Sequence, residues 1–231
     1  MALYFWHNLW LKSSQVLVNT QDNMQIHSPM SDNTTLPLSP FPALNRGLVP
    51  DDAQCKEWWN EYHMLEHIAV HSLLVAGIAD WIGQKARKRG LNVPQQALRA
   101  AGLLHDLAKT YTVRYGGNHS QLGAAWVMEL TGNPAIAQAV RHHVVWPGTV
   151  DIHTHFLPLV IIYADKRVKH DQIVTLPDRF SDLEHRYGTS PDRIASMHRS
   201  FAQVEYIETE LSTFLEVDLH AHPFDSRGMV Q

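Results

Sequence analysis

Leu103 to Thr110 reads Leu-Leu-His-Asp-Leu-Ala-Lys-Thr, with an imidazole and a carboxylate side by side in an apolar stretch. Buried polar groups are costly unless they are bonded or coordinated, and His beside Asp offers nitrogen and oxygen to a hard or borderline metal ion. Residues of the same ligand type stand upstream at His71 and downstream at His119, His143 and Asp165. The chemistry expected is a metal centre. His71, His105, Asp106 and Asp165 would hold one divalent ion, and His119 and His143 would complete a second that Asp106 bridges. Manganese, iron, magnesium, cobalt, nickel and zinc all suit this donor set.

These residues need a scaffold that brings five chain segments together, and hydrophobic periodicity supplies one. From a cap at Asp51 or Asp52, a helix is expected to run to about Gly83 or Arg89, with His67, His71, Leu74, Val75, Ile78 and Ile82 on one stripe. Pro94 opens a second helix that carries Leu98, Ala101, Gly102, His105 and Ala108 on one side. Asp106 lies about 100° round from His105 on a helix, so both reach one ion only where a neighbouring element closes over them.

Tyr115 to Asn118 is a turn, and Asn118 caps a third helix whose apolar stripe starts at His119. Asn133-Pro134 starts a fourth, where Ile136, Val140 and His143 share a face and His142 falls to the side. His153 and His155 are expected in a loop. A fifth helix from Leu157 to Lys169 places Asp165 among Ile161, Ile162 and Val168. Neither Lys166 nor Arg167 has the i±3 or i±4 spacing that would bring it to Asp165. Two amphipathic helices follow, Leu176 to Tyr187 and Pro191 to Phe214. For a lone histidine a hydrogen-bonded core position is the commoner case, but here that explanation would be needed on five consecutive helices.

The totals fit this picture. At 231 residues and 45% hydrophobic content the chain can bury a sizeable core. A net charge of -4 gives no reason to expect a nucleic-acid duplex or an anionic membrane as partner. Sixteen histidines against 19 Lys and Arg is the informative excess, because several fall on apolar stripes. Cys55 is the single cysteine, which excludes an intrachain disulfide and suits a reducing cytoplasm. No basic n-region precedes Lys12, and no apolar run is long enough to span a membrane. Residues 1–50, rich in Asn, Ser, Thr and Pro, are expected to be a disordered leader. The metal-binding domain is placed at 51–170, a helical extension that packs on it at 171–218, and a tail at 219–231.

The motifs His71-Ser-Leu-Leu-Val-Ala, Leu-Leu-His105-Asp106-Leu-Ala-Lys109 and Tyr-Ala-Asp165-Lys together resemble the HD superfamily of metal-dependent phosphohydrolases. Asn118-His119-Ser120 and Arg141-His142-His143 further resemble its branch with two extra histidines, which includes HD-type symmetrical diadenosine tetraphosphate hydrolases. The resemblance implies an all-α HD-domain bundle with the metal between its helices. It implies hydrolysis of a phosphoester or phosphoanhydride bond of a small nucleotide-like substrate by a metal-activated hydroxide. Asp106 and Lys109 would be catalytic, with Lys109 also meeting the phosphoryl oxygens, and Arg167 and Arg179 are weaker candidates for substrate phosphate. A related ligand set also supports di-iron oxygenases, and a regulatory module that keeps the metal without turnover is a further alternative.

Overall fold

The computed structural model describes residues 46–220 and 222–224. Expectations for residues 1–45 and for the tail beyond Phe224 lie outside the described residues. The protein is all-α. Its order is α1 (Asp52–Glu61), α2 (Glu66–Lys88), α3 (Gln95–Leu104), α4 (Lys109–Tyr115), α5 (His119–Thr131), α6 (Pro134–His142), α7 (Ile152–Lys166), a ribbon of β1 (Val168–Lys169) and β2 (Gln172–Ile173), α8 (Leu176–Tyr187) and α9 (Pro191–Leu215).

Local chemistry sets most of these starts. Asp51, Asn118, Asn133, Asp151, Thr175 and Ser190 each accept a backbone N–H of the first turn that follows, the donors that a helix N-terminus leaves unsatisfied. Gly132 ends α5 in the left-handed conformation at φ 60°.

Three elements differ from the periodicity reading. The long first helix is interrupted at Tyr62–Leu65, where His63 takes φ 52°, a region that His visits more readily than most residues. The break folds α1 back onto α3, so that Trp58 and Trp59 are buried and the Trp59 indole donates to the Leu103 carbonyl at 2.9 Å. The second helix stops at Leu104. Residues 105–108 form a hydrogen-bonded turn, with Leu107 N donating to Leu104 O and Lys109 N to Asp106 O, before α4 begins. The fifth helix starts at Ile152 rather than Leu157, with a kink at His155, where φ is -124°. Pro158 causes it, because it cannot donate to the carbonyl four residues back. His155 is therefore buried against Trp146 rather than in a loop, with ring centroids 4.7 Å apart. The same helix ends three residues early, and Lys169 stands in the ribbon instead, where Val168 pairs with Ile173.

The core lies where α2, α3, α6 and α7 meet. Val75, Ala76, Ile78 and Ala79 of α2 and Leu98, Ala101 and Leu104 of α3 are fully buried, as are Val160, Ile161 and Ile162 of α7. Gly102 makes the α2–α3 approach possible: a Cβ there would sit 2.6 Å from the Ala76 Cα. Residues just ahead of α1 also belong to the packed body. Leu48 N donates to Thr131 O at 2.7 Å, the Gln96 amide donates to Pro50 O at 2.8 Å, and Pro50 is buried. The leader expected to reach residue 50 thus includes four residues, 47–50, that dock on the helices. Among the described residues no helix is long and apolar enough to cross a membrane.

Candidate metal centre

Six side chains converge from five segments. His71 comes from the middle of α2, His105 and Asp106 from the turn after α3, and His119 from the first turn of α5. His143 stands just past the end of α6, and Asp165 in the last turn of α7. The break after Leu104 resolves the angular difficulty of an adjacent His and Asp, since both side chains leave a tight turn rather than a continuing helix. His105 and Asp106 are 0% and 1% exposed, and Nε2 of the one lies 3.4 Å from Oδ2 of the other.

Asp106 is the hub, and its two oxygens face different groups. Oδ2 lies 3.4 Å from His105 Nε2 and 4.0 Å from His71 Nε2, while Oδ1 lies 3.4 Å from His119 Nε2 and 3.6 Å from His143 Nε2. Asp165 Oδ1 closes the first group, 3.0 Å from His71 Nε2 and 3.7 Å from His105 Nε2. The result is two triads that share one carboxylate, His71, His105 and Asp106 on one side and Asp106, His119 and His143 on the other.

Tautomers are set from outside. His105 Nδ1 lies 2.7 Å from the Gly102 carbonyl and His143 Nδ1 2.7 Å from the Val140 carbonyl. Each Nδ1–H donates there, which aims Nε2 of both rings toward Asp106. His105 Nε2 and Asp106 Oδ1 are buried and have no hydrogen-bond partner, an arrangement that costs free energy unless something electrophilic occupies the space between them. Two donor atoms each about 2.1 Å from one ion stand ~3.0 Å apart in octahedral and ~3.4 Å apart in tetrahedral coordination. The closest donor pairs here fall in that range. The residues fit divalent cations.

Protonation favours the same use. Burial lowers the His143 pKa to about 3, with the charge of His105 adding to it. Burial also lowers His119, and it lowers His71 against the opposing hydrogen bond from Asp165. Burial alone would raise Asp106, but His105 and Lys109 hold it well below the usual carboxylate range, as Lys166 and His71 do for Asp165. Three imidazoles are thus neutral and both carboxylates ionised, the states in which they coordinate metals. Burial would lower His105, yet the neighbouring Asp106 and Asp165 raise it.

Lys109 stands at the rim. Its ammonium donates to Asp106 Oδ2 at 2.6 Å while a third of its side chain stays exposed. Burial works against its charge, but Asp106 and Asp165 raise its pKa and keep it an ammonium. Lys166, set aside on helical spacing, does reach Asp165: Nζ lies 2.5 Å from Oδ2 and 3.4 Å from the His143 carbonyl. A long flexible side chain at i+1 near a helix end can fold back, which spacing rules for regular helix surfaces do not cover. His142 lies off the centre, with its ring against Trp146.

The two arginines separate. Arg167 is 2% exposed, and its guanidinium is consumed by Tyr163 Oη and the carbonyls of Val174, Leu219 and His222. It fastens the segment after α9 to α7, buried and with each guanidinium nitrogen already bonded to the protein, which argues against the phosphate contact expected of it. Arg179 is also buried rather than solvated, its nearest carboxylate is that of Asp182, and its Nε has no partner.

Residues 68–182 match the HD domain family, so the chain carries an HD domain. It is similar to ribonuclease Y of Geobacter metallireducens, 30% identical over 145 residues, which are 59% of this chain and 25% of the relative. Ribonuclease Y of Opitutus terrae is 33% identical over 87 residues, 37% of this chain and 16% of the relative. The chain thus spans a quarter or less of the length of these relatives. No solved structure matches it.

Proposed function

We propose that the protein is a metal-dependent phosphohydrolase that cleaves a phosphoester or phosphoanhydride bond of a nucleotide-like substrate. One observation carries the reading: the two oxygens of Asp106 are divided between two histidine groups, and Oδ1 and His105 Nε2 are buried without a partner. His71, His105, Asp106 and Asp165 would hold one divalent ion, and Asp106, His119 and His143 a second. Ions so held supply Lewis acidity toward phosphoryl oxygens and a water acidic enough to ionise near neutral pH.

The chain's own residues do the rest. Asp106 sets the spacing of the two groups, and the Gly102 and Val140 carbonyls keep His105 and His143 aimed at it. Lys109, a third exposed and bonded to Asp106, is placed to meet the negative charge that develops on a transferring phosphoryl group. Lys166 neutralises the outer oxygen of Asp165.

The HD domain and the similarity to proteins named ribonucleases support hydrolysis of a phosphorus ester, and they make RNA diesters a bond class to test beside small nucleotides. The lone buried thiol of Cys55 suits a cytoplasmic setting. The test is a screen of the purified, metal-reconstituted protein against mononucleotides, dinucleoside polyphosphates, cyclic dinucleotides and short single-stranded RNA, read by phosphate release and chromatography. Chelation should abolish turnover and manganese should restore it. Undiminished turnover in a verified metal-free preparation would sink the reading, and oxygen uptake in place of phosphate release would identify an oxygenase.

A further inference from the structure

Beside the metal centre, α8 and the ribbon bring three cations onto one carboxylate. Arg186 Nη2 donates to Asp182 Oδ2 at 2.6 Å, Arg179 Nη1 lies 3.4 Å from the same oxygen, and Lys169 Nζ lies 3.8 Å from Oδ1. Burial acts to raise the Asp182 pKa, but the Arg186 bond and the three charges lower it, so the carboxylate stays ionised and three cations share one negative charge. The ribbon leads on directly from the end of α7, so Lys169 stands four residues beyond Asp165 of the metal centre. The side chains of Lys169 and Arg186 are about a third exposed, whereas that of Arg179 is 8% exposed.

Arg179 is the unexplained member. A buried guanidinium with an unpartnered Nε–H is expensive, and its one carboxylate contact is long and shared with Arg186. Arg167, also buried, bonds its guanidinium to carbonyls and a tyrosine hydroxyl. Structural need alone therefore does not account for Arg179. A guanidinium with a spare donor, flanked by two partly exposed cations, suits a phosphate dianion, which takes several charge-assisted hydrogen bonds at once.

We propose that Arg179, Lys169 and Arg186 form a second phosphate subsite next to the metal centre, so that the preferred substrates carry at least two phosphate groups. The inference rests on the phosphohydrolase reading and names its substrate class: one phosphate at the ions beside Lys109, another on Arg179. Adjacent phosphates of an anhydride and separated phosphates on one nucleotide share this chemistry.

The experiment compares AMP, the methylene-bridged analogue of ADP, which resists hydrolysis, and adenosine 3′,5′-bisphosphate. Calorimetric titration into the manganese-loaded protein gives each dissociation constant, and the common base and sugar leave the second phosphate as the difference. At least one two-phosphate ligand should bind about tenfold more tightly than AMP, as expected for an added charge-assisted contact. Which of the two it is tells an anhydride from separated phosphates. Arg179→Gln should remove most of that preference with manganese content unchanged. Should this variant not fold by circular dichroism, the double substitution of the rim, Lys169→Ala with Arg186→Ala, decides. It should lower the preference about threefold and flatten its dependence on salt. Equal affinity for one and two phosphates in the wild type overturns the proposal, as does a preference that both variants leave intact. A preference that persists in a protein with no phosphatase or diesterase turnover supports the subsite and sinks hydrolysis instead.

Discussion

Asp106 differs from the other candidate ligands because its two oxygens face two different histidine pairs. Asp106→Ala should therefore lose both ions, while His119→Ala and His143→Ala should each lower metal content from about two ions per chain toward one. His142→Ala, which removes a ring packed on Trp146, should leave content unchanged. Elemental analysis with circular dichroism as folding control measures this. A wild type that saturates at one ion, with the His119 and His143 variants unaltered, would make those residues substrate contacts around a mononuclear centre. Lys109→Met removes the ammonium but keeps the aliphatic stem. It should keep the metal and lower kcat about a hundredfold or more, in the range of a lost transition-state donor. A loss confined to metal content would instead make Lys109 a structural partner of Asp106.

At the scale of elements, the site depends on how closely α2 and α3 approach, because His71 sits on one and His105 follows the other. Gly102 sets that distance: a methyl group there meets the Ala76 backbone at 2.6 and 2.9 Å, and backbone cannot rotate away. Gly102→Ala should separate the helices, destabilise the fold by about 1–3 kcal/mol as overpacking does, and weaken metal binding by pulling the Gly102 carbonyl from His105 Nδ1. Urea melts of apo and metal-loaded protein check it. A variant that melts like the wild type and keeps its metal would show that the helices can slide without cost. Gly123 tolerates more, since its Cβ would meet the Val140 side chain at 3.3 Å rather than backbone.

For the whole molecule, acid should destabilise the metal-free protein before any carboxylate titrates. The folded-state pKa values of His71, His119 and His143 are lowered, chiefly by burial. Below about pH 6.5 the unfolded chain binds protons at these sites that the folded chain does not, so stability falls with pH. His105, whose pKa is raised, acts in the opposite sense and is outnumbered. Below about pH 4 the lowered pKa values of Asp106 and Asp165 add to the loss. The melting temperature of chelated protein should therefore decline from pH 7 to pH 4, and saturating manganese should make the decline steeper because the ions require neutral imidazoles. A flat profile would argue against neutral buried histidines. Truncation probes the other end of the body. A chain that starts at Arg46 keeps the Leu48 and Pro50 contacts, and one that starts at Asp51 loses them, so the second should melt at lower temperature than the first.

Residue types and helical spacing were enough to expect an all-α chain and to select His71, His105, His119, His143 and Asp165, because a polar side chain on an apolar stripe is visible in one dimension, and Asp106 stood out as the carboxylate next to His105. Caps such as Asn118 and Asn133 were legible for the same reason: their bonds run to residues two and three positions on. What spacing could not deliver were events that depend on distant partners. The left-handed turn at His63 is worth its strain only because α1 then packs Trp58 and Trp59 against α3. The early stop at Leu104 turns two adjacent ligands to one centre only because α2, α5 and α6 close over them. Arg167 on the chain after α9 follows from a long side chain whose partners the fold selects. Periodicity reports which face of a helix is buried. Which charge waits on that face is a property of the neighbour, and only the tertiary structure decides it.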